Sequence, residues 1–166
     1  MTVYTITSQI RSSLLRSLHA WWLAKRGDDI PDRADLDPAD LKPLLRNLFI
    51  ADVEHDPFRI RYRLVGTRAI EATGMDITGR YLDELLPADH VVPWGEYYRR
   101  SYETRQPLFG AVDAPTRAGG RFTYEFGLFP LRKGGQAVDQ FVALEDYFDL
   151  GSSLEELVEW RDRKAD

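Results

Sequence analysis

The segment Arg59-Ile-Arg-Tyr-Arg-Leu-Val65, followed by Gly66-Thr67 and then by Asp76-Ile-Thr-Gly-Arg-Tyr-Leu-Asp-Glu-Leu-Leu86, carries the clearest structural signal in the chain. Side chains alternate across a pleated strand, so Ile60, Tyr62 and Leu64 share one face and Arg59, Arg61 and Arg63 the other. The strand therefore has one apolar face. Three arginines on alternate positions could line up an anion, but they fit a solvated face better. Gly66 can adopt backbone angles closed to other residues and Thr67 can cap a helix, so the chain is expected to turn off the sheet into Arg68 to Thr73. Gly74 ends that helix.

Working upstream, Phe49-Ile-Ala-Asp-Val53 is apolar on both faces, as a strand covered on both sides must be. Asp56-Pro57 makes the turn between the two strands, which predicts a hairpin. Asp37-Pro38-Ala39-Asp40 reads as a helix start that Pro43 shortens or bends, with Leu41, Leu44, Leu45 and Leu48 on its buried side. Nearer the N-terminus, Ile10, Leu14, Leu18, Trp21 and Trp22 recur at helical spacing, and Gly27 is the stop. Two tryptophans on one stripe need a broad surface, either this chain's own sheet or a second copy. Leu14, Leu18, Trp21 and Trp22 are accordingly candidates for a dimer or partner contact. Residues 1 to 7 are β-prone with nothing evident to hold them, and are expected to be mobile or docked on a partner.

Downstream, Trp94, Tyr97, Tyr98, Ser101 and Tyr102 share one side of a long helix. Leu108 to Val112 reads as a third strand and Phe122-Thr-Tyr-Glu-Phe-Gly-Leu-Phe-Pro-Leu131 as a fourth. The fourth places Phe122, Tyr124, Phe126 and Leu128 on one face, with Gly127 marking a bulge or a close backbone approach. Arg132-Lys133-Gly134-Gly135 is a turn, and Ala137 to Tyr147 returns as the fifth strand. Ser152 and Glu155 form a capping box for a last helix, whose narrow stripe of Leu154, Leu157 and Val158 requires something to dock on.

Composition narrows the chemistry. A chain of 166 residues, 43% apolar, suffices for one domain with a real core. With no cysteine there are no disulfides, thiolate metal sites or cysteine nucleophiles. A net charge of -5 argues against nucleic acid as a partner. No export signal and no run of the ~20 apolar residues needed to cross a membrane are visible, so no membrane insertion and a cytoplasmic location are expected. Neither a phosphate-cradling loop nor a nucleophile elbow occurs. The 3 histidines, His19, His55 and His90, are scattered, so no metal site is expected. Asp52, Glu54 and Asp56 lack the spacing of a catalytic or metal cluster.

Tyr62-Arg-Leu-Val-Gly-Thr67 followed by Asp76-Ile-Thr-Gly-Arg-Tyr-Leu-Asp-Glu-Leu85 resembles a bacterial PAS-domain family, common in alphaproteobacteria and long known as a domain of unknown function. The resemblance spans roughly Leu18 to Tyr147. It implies an α+β PAS fold: a five-stranded antiparallel sheet of order 2-1-5-4-3 that cradles short crossover helices over a small pocket. It implies no reaction, since one fold hosts many functions. Residues 1–27 would then be an N-terminal helix, 28–148 the PAS domain and 149–166 a C-terminal helix.

The resulting expectation is a stand-alone signalling module, not an enzyme, that senses a small molecule and/or passes a signal through protein contacts. A ligand-free adaptor or dimerisation module is the alternative, and a small enzyme a third reading for which no substrate or catalytic residue can be named. Pocket candidates are Tyr62 and Leu64, Tyr98 and Tyr102, and Tyr124 and Phe126. A homodimer and another signalling protein are the expected partners. The cofactor stays open: the absence of cysteine excludes the cysteinyl photoadduct of flavin-based light sensors, and His90 reads as a surface or capping residue rather than a haem ligand.

Overall fold

The computed structural model describes residues 2–4, 9–85, 93–115 and 121–148, with residues 2–4, 73, 114–115 and 121–122 by backbone alone. The expected C-terminal helix and His90 lie outside these residues. Six strands form one antiparallel sheet: β1 Thr2–Tyr4, β2 Leu48–His55, β3 Phe58–Val65, β4 Leu108–Pro115, β5 Arg121–Leu131 and β6 Gln140–Asp146. Their order is β1-β4-β5-β6-β2-β3. Counted from Leu48, the five core strands stand in the order 2-1-5-4-3 that the resemblance implies.

The sixth strand was not expected. Thr2, Val3 and Tyr4 pair with Ala111, Gly110 and Phe109, so the lead segment is held by the outer edge of β4. β-prone residues find their hydrogen bonds on an edge that is otherwise open.

Alternation along β5 assigns the layers. Phe126 meets Trp94 at 4.7 Å and Tyr97 at 5.7 Å, both on α4 (Trp94–Thr104 in the full element set α1 Ser13–Lys25, α2 Thr67–Thr73, α3 Leu82–Leu85). Its neighbours Glu125 and Gly127 face α1 instead: a Cβ on Gly127 would fall 2.7 Å from the Leu15 side chain. The crossover helices thus cover the inner face and α1 the outer one. Gly127 is a close approach, not a bulge, since it pairs regularly with Phe109 and Leu144.

α1 is seated on its own sheet. Leu15, Leu18 and Trp22 are fully buried, and the Trp22 indole N–H donates to the Pro130 carbonyl at 2.9 Å. Leu18 and Trp22 are therefore core residues of a single chain and unavailable for a partner contact, because both lie on the stripe turned toward the sheet. At 100° per residue, Leu14 and Trp21 fall on one flank of that stripe and Leu23 on the other. Leu14 and Trp21 are half-buried and Leu23 is 46% exposed.

The helix start is tied down by side chains of the sheet. Ser12 caps α1, its Oγ accepting from the Leu15 amide at 3.1 Å and donating to Asp146 Oδ2 at 2.6 Å. Buried Glu125 accepts from the amides of Arg11 and Ser12. Glu125 thus takes the two amides that lead into the helix and Asp146 holds the capping hydroxyl, both at the end where the helix dipole favours negative charge.

Three local expectations are corrected. A bulge in β3 places Ile50 opposite Leu64 but Ala51 opposite Tyr62, leaving Arg63 as the extra residue. Val65 therefore takes the inward position and Leu64 turns outward, 48% exposed. Gly66 has an ordinary φ of -66°, and what requires glycine there is space, since a Cβ would come 2.3 Å from the Arg46 carbonyl oxygen. Between Asp37 and β2 the chain makes a turn and a 3-10 helix, Lys42–Asn47, rather than an α-helix, with Pro43 in its first turn and Leu45 39% exposed. Gly74, at φ 69°, ends α2 in the left-handed region as expected.

Candidate functional site

Residues of β2, β3, β5 and β6 meet α4 around a small cavity. β2 contributes Phe49, β3 Tyr62 and β5 Phe126, while α4 adds Trp94 and Tyr98. The wall is completed by Leu128, by Ala143 and Leu144 of β6, and by one acid, Glu145. The cavity measures about 10 Å³, room for about one water molecule.

Glu145 stands opposite Phe126 in the β5–β6 register, on the inward face. The Tyr147 hydroxyl donates to its Oε2, and the Asn47 side chain donates to its backbone carbonyl at 2.8 Å. Burial pushes the carboxyl up to about 7, against the Tyr147 hydrogen bond that pulls it down. Among the described residues no basic side chain offsets that burial. The groups around it are phenols. Tyr62 and Tyr98 are hydrogen-bonded to each other, and burial holds both hydroxyls well above the usual phenol range. Tyr124 packs on Tyr147 at 5.1 Å, and both hydroxyls are likewise raised by burial, with the Glu145 charge adding to it.

The wall combines aromatic rings with one carboxyl and paired hydroxyls and offers no nucleophile–base pair. The protein family whose members are described as the PAS domain matches residues 10–144. The chain belongs to the PAS domain family. The chain is also similar to solved structures. A light-oxygen-voltage domain studied with a flavin analogue superposes with a TM-score of 0.50 at 18% identity, over 69% of this chain and 87% of that one. A fungal light-oxygen-voltage photoreceptor domain matches at 19% identity over 86% and 94% of the two chains, TM-score 0.47. The light-oxygen-voltage protein of Rhodobacter sphaeroides matches at 18% identity over 86% and 70%, TM-score 0.45. No curated protein matches the chain.

Of the six pocket candidates, the PAS domain brings Tyr62, Tyr98 and Phe126 to the cavity wall. Tyr124 sits beside it, next to Tyr147. Leu64 is excluded by the bulge. Tyr102 is one turn too far along α4, where it packs on Phe58 at 5.1 Å and its hydroxyl lies 3.2 Å from His55 Nδ1. Glu145 and Tyr147 escaped the sequence reading. The available signal was an acid closing the apolar run Phe141-Val-Ala-Leu144 in a strand that must be central, a place where a carboxyl is costly to bury.

The remaining polar residues have ordinary structural roles. Arg59 pairs with Asp83 and Glu84, Arg63 with Asp52, and Arg61 donates to the Gly79 carbonyl, so the arginine row is a paired, solvent-facing surface. Glu54 accepts from the Tyr81 hydroxyl at 2.6 Å. His55 bridges to Asp139 at 3.0 Å, and His19 packs on Phe109 at 5.0 Å with its pKa lowered by burial. Among the described residues no group of acids and histidines is arranged to hold a metal, and no helix is long and apolar enough to cross a membrane.

Proposed function

We propose that this PAS domain is a cytoplasmic sensory relay without catalytic activity: a small guest in the inner cavity alters the seating of α1, and α1 passes the change to a second copy or to another signalling protein. The reading is carried by two consecutive residues of β6. Glu145 lines the cavity, and Asp146, on the opposite face, binds the Ser12 hydroxyl that caps α1. A strand is stiff over one residue, so a change in hydrogen bonding at Glu145 is felt at Asp146. The flanks of α1, with Leu14 and Trp21 on one side and Leu23 on the other, supply the outward contact.

A cavity of about 10 Å³ favours a second reading, a ligand-free adaptor whose interior is filled by its own aromatic side chains. Amide hydrogen exchange separates the two. In the relay, Glu145→Gln changes the protection of the Leu15 and Arg16 amides by about threefold or more, as the direct perturbation Asp146→Asn also does. Protection altered by Asp146→Asn but indifferent to Glu145→Gln would leave the adaptor standing and remove the relay.

A further inference from the structure

We propose that the inner cavity is a site for the ammonium ion, with Glu145 as its counter-charge, the Tyr62 and Tyr98 hydroxyls as acceptors, and the rings of Trp94, Phe49 and Phe126 as its wall. The inference rests on the cavity being the input site of the relay.

Three observations point to this guest. The first is size: the space takes about one water, and ammonium is a cation of water's dimensions. The second is charge. Glu145 stands at the wall of a space otherwise lined by aromatic and aliphatic residues, and among the described residues no arginine, lysine or histidine pairs with it. A half-buried carboxylate against such a wall is costly, and a small cation entering beside it lowers the cost. The third is the character of the remaining lining. Five of the residues at the wall are aromatic, and aromatic faces attract a desolvated cation. Hard metal ions are poorly served by comparison, because they take about six or more oxygens and the wall supplies one carboxyl and two phenols. Ammonium needs only four acceptors, and π faces count among them.

The site also carries a pH signature. The groups facing Glu145 are Tyr62 from β3, Tyr98 from α4, Tyr124 from β5 and Tyr147 beyond β6, and burial keeps every one of these phenols neutral near neutral pH. Glu145 alone titrates there. Ammonium therefore competes with the proton for one carboxyl, and binding strengthens from mildly acidic to mildly alkaline pH.

Thermal melts of the whole chain in ammonium chloride, against sodium and potassium chloride at matched ionic strength, test the proposal. With ammonium about tenfold above its dissociation constant, the melting midpoint is expected to rise by about 3 °C over both controls. The rise grows with the logarithm of ammonium concentration, is larger at mildly alkaline pH, and is absent in Glu145→Gln. Tetramethylammonium, too large for the space, gives no rise. An equal response to all three chlorides, or an ammonium response that survives in Glu145→Gln, overturns the proposal. Should the variant fold poorly, ¹⁵N-ammonium with the unaltered protein decides: transfer from bound ammonium protons to the Trp94 ring supports the site, and its absence at saturating salt refutes it. The exchange experiment on α1 is run without ammonium, so the relay and the ammonium site can fail separately.

Discussion

The two faces of this sheet are buried by different means. On the outer face α1 lies flush: Leu15 reaches the bare backbone at Gly127, Trp22 is sealed with its indole N–H bonded to Pro130, and Glu125 and Asp146 meet the helix start. On the inner face large rings meet edge to face, as Trp94 does Phe126 at 4.7 Å and Tyr98 does Phe141 at 5.0 Å, and they leave a small space with an acid beside it. The outer face closes rings and aliphatic chains onto bare backbone at Gly127, whereas the inner face leaves a space between rings that carry polar tips. The contrast teaches that covering both faces of a sheet is one requirement and filling them completely is another.

The contrast can be broken at several points. The largest effect is expected on the outer face, where Trp22→Ala should cost about 3–5 kcal/mol in chemical denaturation. The milder inner-face change Tyr98→Phe, which removes only the hydroxyl bonded to Tyr62, should cost about 1 kcal/mol. If the two variants melt together, the outer face is not the tighter one.

The next effect is the acid-base behaviour of the inner face. The Glu145 carboxyl takes up its proton near 7 in the fold against an ordinary value of 4.5. Between those values the folded chain holds the extra proton, so this carboxyl's contribution is greatest at low pH and is lost as pH rises through about 7. The loss is about 2 kcal/mol once allowance is made for partial solvent access. In Glu145→Gln this component vanishes, and parallel stability profiles for variant and parent would show that the acid is not a buried titrating group.

The smallest effect belongs to the bulge. Leu64→Ser should change stability by less than about 0.5 kcal/mol, because the side chain already faces water. A loss of core size there would mean that β3 pairs without its extra residue and that Leu64 points inward after all.

Most of the architecture was legible because it rests on periodicities the sequence displays. The run Phe49 to Val53, apolar on both faces, and the alternation in Phe122 to Leu131 marked the inner strands, and the spacing of Leu14, Leu18, Trp21 and Trp22 marked the helix that covers them. The cavity was half legible. Tyr62, Tyr98 and Phe126 follow from alternation, but one added residue in a strand inverts everything beyond it, and nothing in Arg63 announces that it is the one left over. Glu145 was harder still: whether an acid at the end of an apolar strand meets solvent or a ring of phenols depends on α4 and on Tyr147, which only the folded chain brings to it. The lead strand was missed for a related reason, since its partner edge lies more than a hundred residues away.

That lead strand has a consequence for how the protein behaves in a crowded solution. A sheet that ends in open hydrogen-bonding groups invites further strands from other molecules and can grow into fibres. Here one margin closes on Thr2–Tyr4, a stub too short to template much. The other margin is occupied by Gly79 and Arg80, whose backbones bond to Tyr62, beside a fringe of arginines. The fold is in this way protected at both ends against self-stacking.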